Sequence, residues 1–179
     1  GDEQYEQAEQ ALLDAYTEMK RTGEVDGLAC VTGHLASLYS LPMYEDLAKA
    51  QEHYEEHEVL SPTPYALLQT TLFYFYLLRD FAKTIAKVDE IKARWDVTHD
   101  ASYYSAVALK GEALLELGNT QAANAVLEEM LAMIRLQPSG LPYGDEINLL
   151  TATVARPALA ECTHTTHTIL KLIIPRIRA

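Results

Sequence analysis

Four short segments repeat one pattern at a nearly constant interval, and this period constrains the fold more than any other feature of the chain. They read Tyr5-Glu6-Gln7-Ala8, Tyr44-Glu45-Asp46-Leu47, Phe81-Ala82-Lys83-Thr84 and Thr120-Gln121-Ala122-Ala123. Each opens on an aromatic or small residue and leads into apolar residues at helical spacing. Their last positions lie 39, 37 and 39 residues apart. A steady period in this range marks a solenoid of helical hairpins, in which each unit buries its apolar face only by stacking on its neighbours.

A second helical pattern precedes three of the four segments. Residues 25–40 carry Leu28, Val31, Leu35, Leu38 and Tyr39; residues 64–79 carry Leu67, Leu68, Leu72, Phe73, Tyr76 and Leu77; residues 102–117 carry Val107, Leu109, Ala113, Leu114 and Leu117. Steps of three and four put these groups on one broad face of a helix. Turn signals separate the helices at Thr22-Gly23, Leu41-Pro42, Ser61-Pro62-Thr63-Pro64, Thr98-His99-Asp100 and Gly118-Asn119. Pro64 suits a first helical turn, where its missing N–H is not needed, and Asp100 suits an N-cap. The pattern predicts helices near 3–21, 25–40, 44–59, 64–79, 81–96, 102–117 and 120–136. A Pro- and Gly-containing loop follows at 137–144, then a helical segment near 145–173 broken at Pro157.

The segment from Tyr104 to Met130 resembles a tetratricopeptide repeat. Gly111 matches the family's small residue in the first helix, Leu114 its large residue, Leu117-Gly118-Asn119 its inter-helix turn and Ala123 its small residue in the second helix. Small side chains at 111 and 123 let paired helices interlock. Residues 33–54 match with Gly33, Ala36, Tyr44 and Tyr54, with two extra residues before Tyr44. Residues 65–91 keep the periodicity but place Leu72 where the family has a small residue. Residues 5–18 look like a second helix without its partner. The period of about 38 is similar to that of the longer repeats in regulatory arms of large bacterial activators.

The resemblance covers about 135 residues. It implies an all-α fold: a right-handed α-solenoid of antiparallel helix hairpins, about 3.5 repeats over residues 1–136. Residues 137–144 form a loop, and residues 145–179 form a C-terminal helical cap or the start of another module. It also implies a binding face, because the first helix of each pair lines the concave side in this family. That face would present Cys30, His34, Ser37 and Leu38, then Gln69, Phe73, Tyr76 and Leu77, then Ala108, Glu112, Leu115 and Glu116. A peptide or helix with apolar anchors and a basic residue complements such a mixture. The run Phe73-Tyr74-Phe75-Tyr76 points all ways around a helix, so some rings are buried; Tyr76 is the one expected in the groove. Family members that clamp chaperone carboxylates use Lys, Arg and Asn here. Positions 30, 34, 69, 105 and 109 instead hold Cys, His, Gln, Ser and Leu, so an acidic tail has nothing to pair with.

Charge narrows the partner further. The net charge is −12. Residues 1–60 hold 14 acids against 3 bases, whereas residues 61–120 hold 7 against 6 and residues 121–179 hold 5 against 5. An acidic first third repels phosphate backbones, so no nucleic-acid partner is expected. No apolar run is long enough to span a bilayer, so no membrane partner is expected either. Cys30 and Cys162 are too few for a disulfide framework and fit a reducing, cytoplasmic setting. The opening Gly suggests a piece trimmed from a longer chain.

Chemistry finds little support. His53-Tyr54-Glu55-Glu56-His57 matches the H-x-x-E-H metalloprotease pattern, in which histidines four apart hold Zn²⁺ and the Glu is the base. That chemistry needs a third ligand from another element, and the motif sits on a short repeat helix rich in acids, which reads as a solvated surface. Cys162, His164 and His167 lack a second Cys pair. Cys30 and His34 are one turn apart, but a core cysteine beside a polar neighbour explains them. No phosphate loop and no nucleophile elbow is present. The expected function is therefore a protein-interaction scaffold without cofactor, metal or catalysis. The alternative is a ligand- or peptide-sensing arm of a larger regulator, and the remote one is a hydrolase using His53, Glu56 and His57. The apolar cluster at Ile169, Leu170 and Ile173 is expected to pack on the preceding repeat or to make a homodimer or partner contact.

Overall fold

The computed structural model describes residues 2–44, 46–95 and 101–136. All regular structure among them is helical: α1 (Asp2–Thr22), α2 (Val25–Tyr39), α3 (Leu47–Leu60), α4 (Pro64–Tyr76), α5 (Phe81–Arg94), α6 (Ala101–Glu116) and α7 (Thr120–Leu136). The expected loop at 137–144, the segment 145–179 with Cys162 and the Ile169, Leu170 and Ile173 cluster, and the Asp100 cap lie outside the described residues.

Four helices follow the sequence pattern to within a residue at each end, and three are shorter than it suggests. Helix α3 starts at Leu47 rather than 44 because the Asp46 carboxylate accepts from the Lys49 N–H at 3.2 Å and caps it there. Helix α4 ends at Tyr76 rather than 79. The N–H groups of Leu77 and Leu78 both return to the Phe73 carbonyl, at 3.0 and 3.2 Å, and Arg79 takes a left-handed φ of 53°. Helix α5 ends at Arg94, where Trp95 becomes extended.

Side-chain caps recur along the chain. Asp46, Asp80 and Asn119 each accept a backbone N–H at the start of α3, α5 and α7. Glu24 and Thr63 do so for α2 and α4, with Pro64 in the first turn as its chemistry predicts. Each such cap is worth about 1 kcal/mol. Gly23 and Gly118 supply the left-handed residue that ends α1 and α6, both at φ 73°.

The chain forms two compact units, Gly1–Leu78 and Arg79–Ala179. In the first, α1 packs on α2, α2 on α3 and α3 on α4; in the second, α5 packs on α6 and α6 on α7. The first unit's core holds Leu35, Ala36, Tyr39, Ala50, Tyr54, Phe73 and Tyr74, flanked by Leu12, Leu13, Tyr16 and Val31. Ala36 and Ala50 are fully buried, so α2 and α3 approach over methyl groups rather than long side chains. Gly33 belongs to the same contact: a Cβ there would meet the His57 ring at 3.4 Å. In the second unit Val88, Ile91, Val107, Ala113, Ala123 and Met130 are buried. Gly111 is buried as well.

Side chains also tie helices two apart in the order. In the first unit Lys20 of α1 pairs with Glu56 of α3 at 3.0 Å. In the second, Lys92 of α5 pairs with Glu129 of α7 at 2.6 Å.

Candidate functional site

The aromatic run on α4 sorts its rings by depth. Phe73, Tyr74 and Phe75 are buried, while Tyr76 is 54% exposed. Phe73 packs against Tyr54 of α3 with ring centroids 4.9 Å apart, and the Tyr74 hydroxyl donates to Glu55 at 2.9 Å. Tyr76 stands edge-on to Phe75, with centroids 4.9 Å apart. Leu77, the next residue, is exposed as well.

Beside this run lies a depression of about 350 Å³ lined by Tyr54, Gln69, Leu72, Phe73, Tyr76 and Leu77. Its wall is mostly hydrocarbon and ring, with the Gln69 amide as a polar point. That amide donates to the Tyr65 hydroxyl at 3.1 Å. A concavity of this kind, open and apolar with few polar groups, suits a side chain inserted by a peptide or helix.

The structure brings four of the expected groove residues together here: Gln69, Phe73, Tyr76 and Leu77. Two lining residues, Tyr54 and Leu72, were not expected. Leu72 did carry a signal, since it is the large residue standing where the repeat pattern has a small one. Tyr54 carried none, because its ring reaches the depression from α3.

The α2 candidates are elsewhere. Cys30, His34 and Ser37 are exposed, and none of them lines this depression. Cys30 is therefore a free, exposed thiol and not the core cysteine that its apolar neighbours suggest. The Ser37 hydroxyl is turned back onto the Gly33 carbonyl at 3.0 Å. Leu38 and Ala108, on the same predicted face, are buried. Glu112 and Glu116 are half-buried on α6 in the second unit. Glu116 pairs with Arg79 at 3.5 Å, so part of the acidity expected of that face is already met from within the chain.

The histidine motif is not the solvated surface its acids suggest. His53 is half-buried, stacked on Tyr39 at 5.7 Å and edge-on to Tyr16 at 5.6 Å. Its Nδ1 is buried without a hydrogen bond and lies 3.7 Å from Glu56. Burial pushes the His53 pKa below its ordinary value, against the pull of Glu56 and Glu52. His57 turns its Nδ1 to the Ala29 carbonyl at 2.9 Å, which makes that nitrogen the protonated one in the neutral ring. Glu56 accepts the Tyr16 hydroxyl at 2.8 and 3.0 Å and the Lys20 ammonium. Burial alone would raise the Glu56 pKa; the bonds from Lys20 and Tyr16 outweigh it and hold the carboxyl low. The three side chains are thus engaged in packing α3 against α1 and α2. Among the described residues no three His, Cys, Asp or Glu side chains converge to hold a metal. No described helix is long and apolar enough to cross a membrane.

Comparison with family models, with curated proteins and with solved structures finds no match to this chain.

Proposed function

We propose that the chain is a non-catalytic interaction scaffold, a right-handed stack of tetratricopeptide-like hairpins that takes a peptide or helix of a protein partner. The observation that carries this reading is the apolar depression lined by Tyr54, Gln69, Leu72, Phe73, Tyr76 and Leu77, with Tyr76 and Leu77 left largely in water. An exposed tyrosine beside a buried aromatic floor is the composition of an interface anchor site. The partner's contribution is an apolar side chain set on the Phe73 ring and flanked by Tyr76. A basic residue opposite Glu116 would have to displace Arg79, so apolar anchors dominate recognition and charge is secondary.

The test is affinity capture with the chain as bait, repeated with Tyr76→Ala and Glu112→Lys and with each variant's melting temperature as control. Tyr76→Ala is expected to lose a captured partner while melting like the parent. If every partner survived both substitutions, the depression would not be the docking site.

A further inference from the structure

A second concavity lies at the other end of the first unit, where α1 meets the turn before α3. It has a volume of about 140 Å³ and is lined by Tyr5, Glu6, Met43 and Tyr44. We propose that this cradle binds an alkylated ammonium group, with the tyrosine rings as walls and the carboxylates of Glu6 and Glu9 as counter-charge.

Ring faces carry the negative part of an aromatic quadrupole, so a cation held between aromatic rings is attracted without a single directed hydrogen bond. Tyr5 and Tyr44 open successive copies of one sequence pattern, and both line the cradle. The third copy shows what this position attracts. There the aromatic is Phe81, and the Arg79 guanidinium lies 4.7 Å from its ring centroid. In the first two copies no cation of the chain lies over Tyr5 or Tyr44 among the described contacts. The neighbouring Lys49 is engaged with the Tyr39 ring at 4.8 Å and with Asp46 at 3.2 Å.

The surroundings are strongly negative. Glu6 lines the cradle. Glu9 accepts from the Tyr39 hydroxyl at 2.8 Å, and Tyr39 stands edge-on to Tyr44 with centroids 6.0 Å apart. Burial, then the charges of Glu9 and Glu6, hold the Tyr44 phenol above its ordinary pKa. The Tyr44 hydroxyl is itself buried, so what this side chain can offer a ligand is its ring. Size selects the ligand. At about 30 Å³ per water the space equals four or five waters, which suits a nitrogen carrying methyl groups and excludes a folded peptide. Met43, 54% exposed, adds a polarizable thioether wall for those methyls.

The experiment follows the tyrosine ring signals of carbon-13-labelled protein by NMR, during titration at constant ionic strength. Tetramethylammonium chloride probes a free headgroup, Nα-acetyl-trimethyllysine methyl amide probes a side chain presented on a peptide, and sodium chloride is the control. Saturable shifts of Tyr5 and Tyr44 are expected with at least one ammonium probe and not with sodium. Whichever ammonium probe binds more tightly names the source. Tyr5→Leu and Glu6→Gln, both on exposed positions, should weaken the binding about three- to tenfold, while Tyr5→Phe retains it. Shifts that never saturate, saturate equally with sodium, or are untouched by Tyr5→Leu and Glu6→Gln would overturn the assignment.

Discussion

Two corners of the molecule use the same three chemical groups, and a histidine stands beside one of them. In the first unit the Glu56 carboxylate accepts from Tyr16 and pairs with Lys20. In the second the Glu129 carboxylate accepts from Tyr103 at 2.9 Å and pairs with Lys92. Each joins a helix to the one two places on, α1 to α3 and α5 to α7. Both carboxyls are pulled below their ordinary pKa by these partners, against the burial that would raise them. The difference is His53, whose Nδ1 lies 3.7 Å from Glu56 and which stacks on Tyr39. A lysine–carboxylate tie thus joins alternate helices in both units, although its tyrosine comes from α1 in the first and from α6 in the second. The first corner thus also holds a half-buried histidine.

Removing the carboxylates should have the largest effect. Glu56→Ala and Glu129→Ala each leave a tyrosine hydroxyl without its acceptor and a lysine without its counter-ion. Each should cost about 1–3 kcal/mol in chemical denaturation, with the Gln variants milder. If one corner tolerated the change, the two would not be equivalent.

The next effect is pH dependence confined to the first corner. A histidine whose folded pKa is lowered leaves the unfolded chain to take up the proton first as pH falls below about 6.5. Its contribution is therefore complete above that value, declines as pH falls toward the folded pKa and is constant below it. The Glu56 contribution is present above its ordinary pKa and is lost only at more acidic pH, as protons reach its lowered folded value. The parent's stability to denaturant should fall as pH is lowered from 7 through about 6.5, and His53→Phe should flatten that slope. A slope unchanged in His53→Phe would assign the titration to another group.

The smallest effect belongs to the lysines. Lys20 and Lys92 side chains are about half exposed, at 49% and 55%. Replacing either with Met should change stability by about 0–1 kcal/mol, because solvent and salt screen such pairs. A larger loss at Lys20 would trace to its ammonium lying 4.5 Å from the Tyr16 ring centroid.

Local signals in the sequence were enough to read the helices. Apolar steps of three and four placed all seven, and Pro64, Gly23 and Gly118 marked ends through backbone chemistry that acts within one turn. Helix α3 was misplaced by three residues because Tyr44 continues the apolar series while Asp46 stops the backbone. Long-range contacts were not legible. Nothing near His57 announces that its ring will meet the Ala29 carbonyl and lie where a Cβ at position 33 would touch it, or that Glu56 will serve Tyr16 forty residues earlier. The H-x-x-E-H spacing is a property of one helix, whereas what those side chains do depends on which helices pack beside it. The candidate site was half readable for the same reason. Gln69, Phe73 and Tyr76 share a face of α4, but Tyr54 arrives from another helix, and the exposure of Cys30 depends on what α2 meets.

The central claim is that the depression beside Phe73 and Tyr76 docks an apolar peptide side chain. It is tested most directly by selecting binders to the chain from a random peptide library and measuring their affinities for the parent, Tyr76→Ala, Leu72→Glu and Val59→Ala, an exposed control that does not line the depression. Affinities for Tyr76→Ala and Leu72→Glu should fall about tenfold or more, the loss expected of a central interface anchor, with Val59→Ala like the parent. Selected peptides that bound all four proteins equally would contradict it.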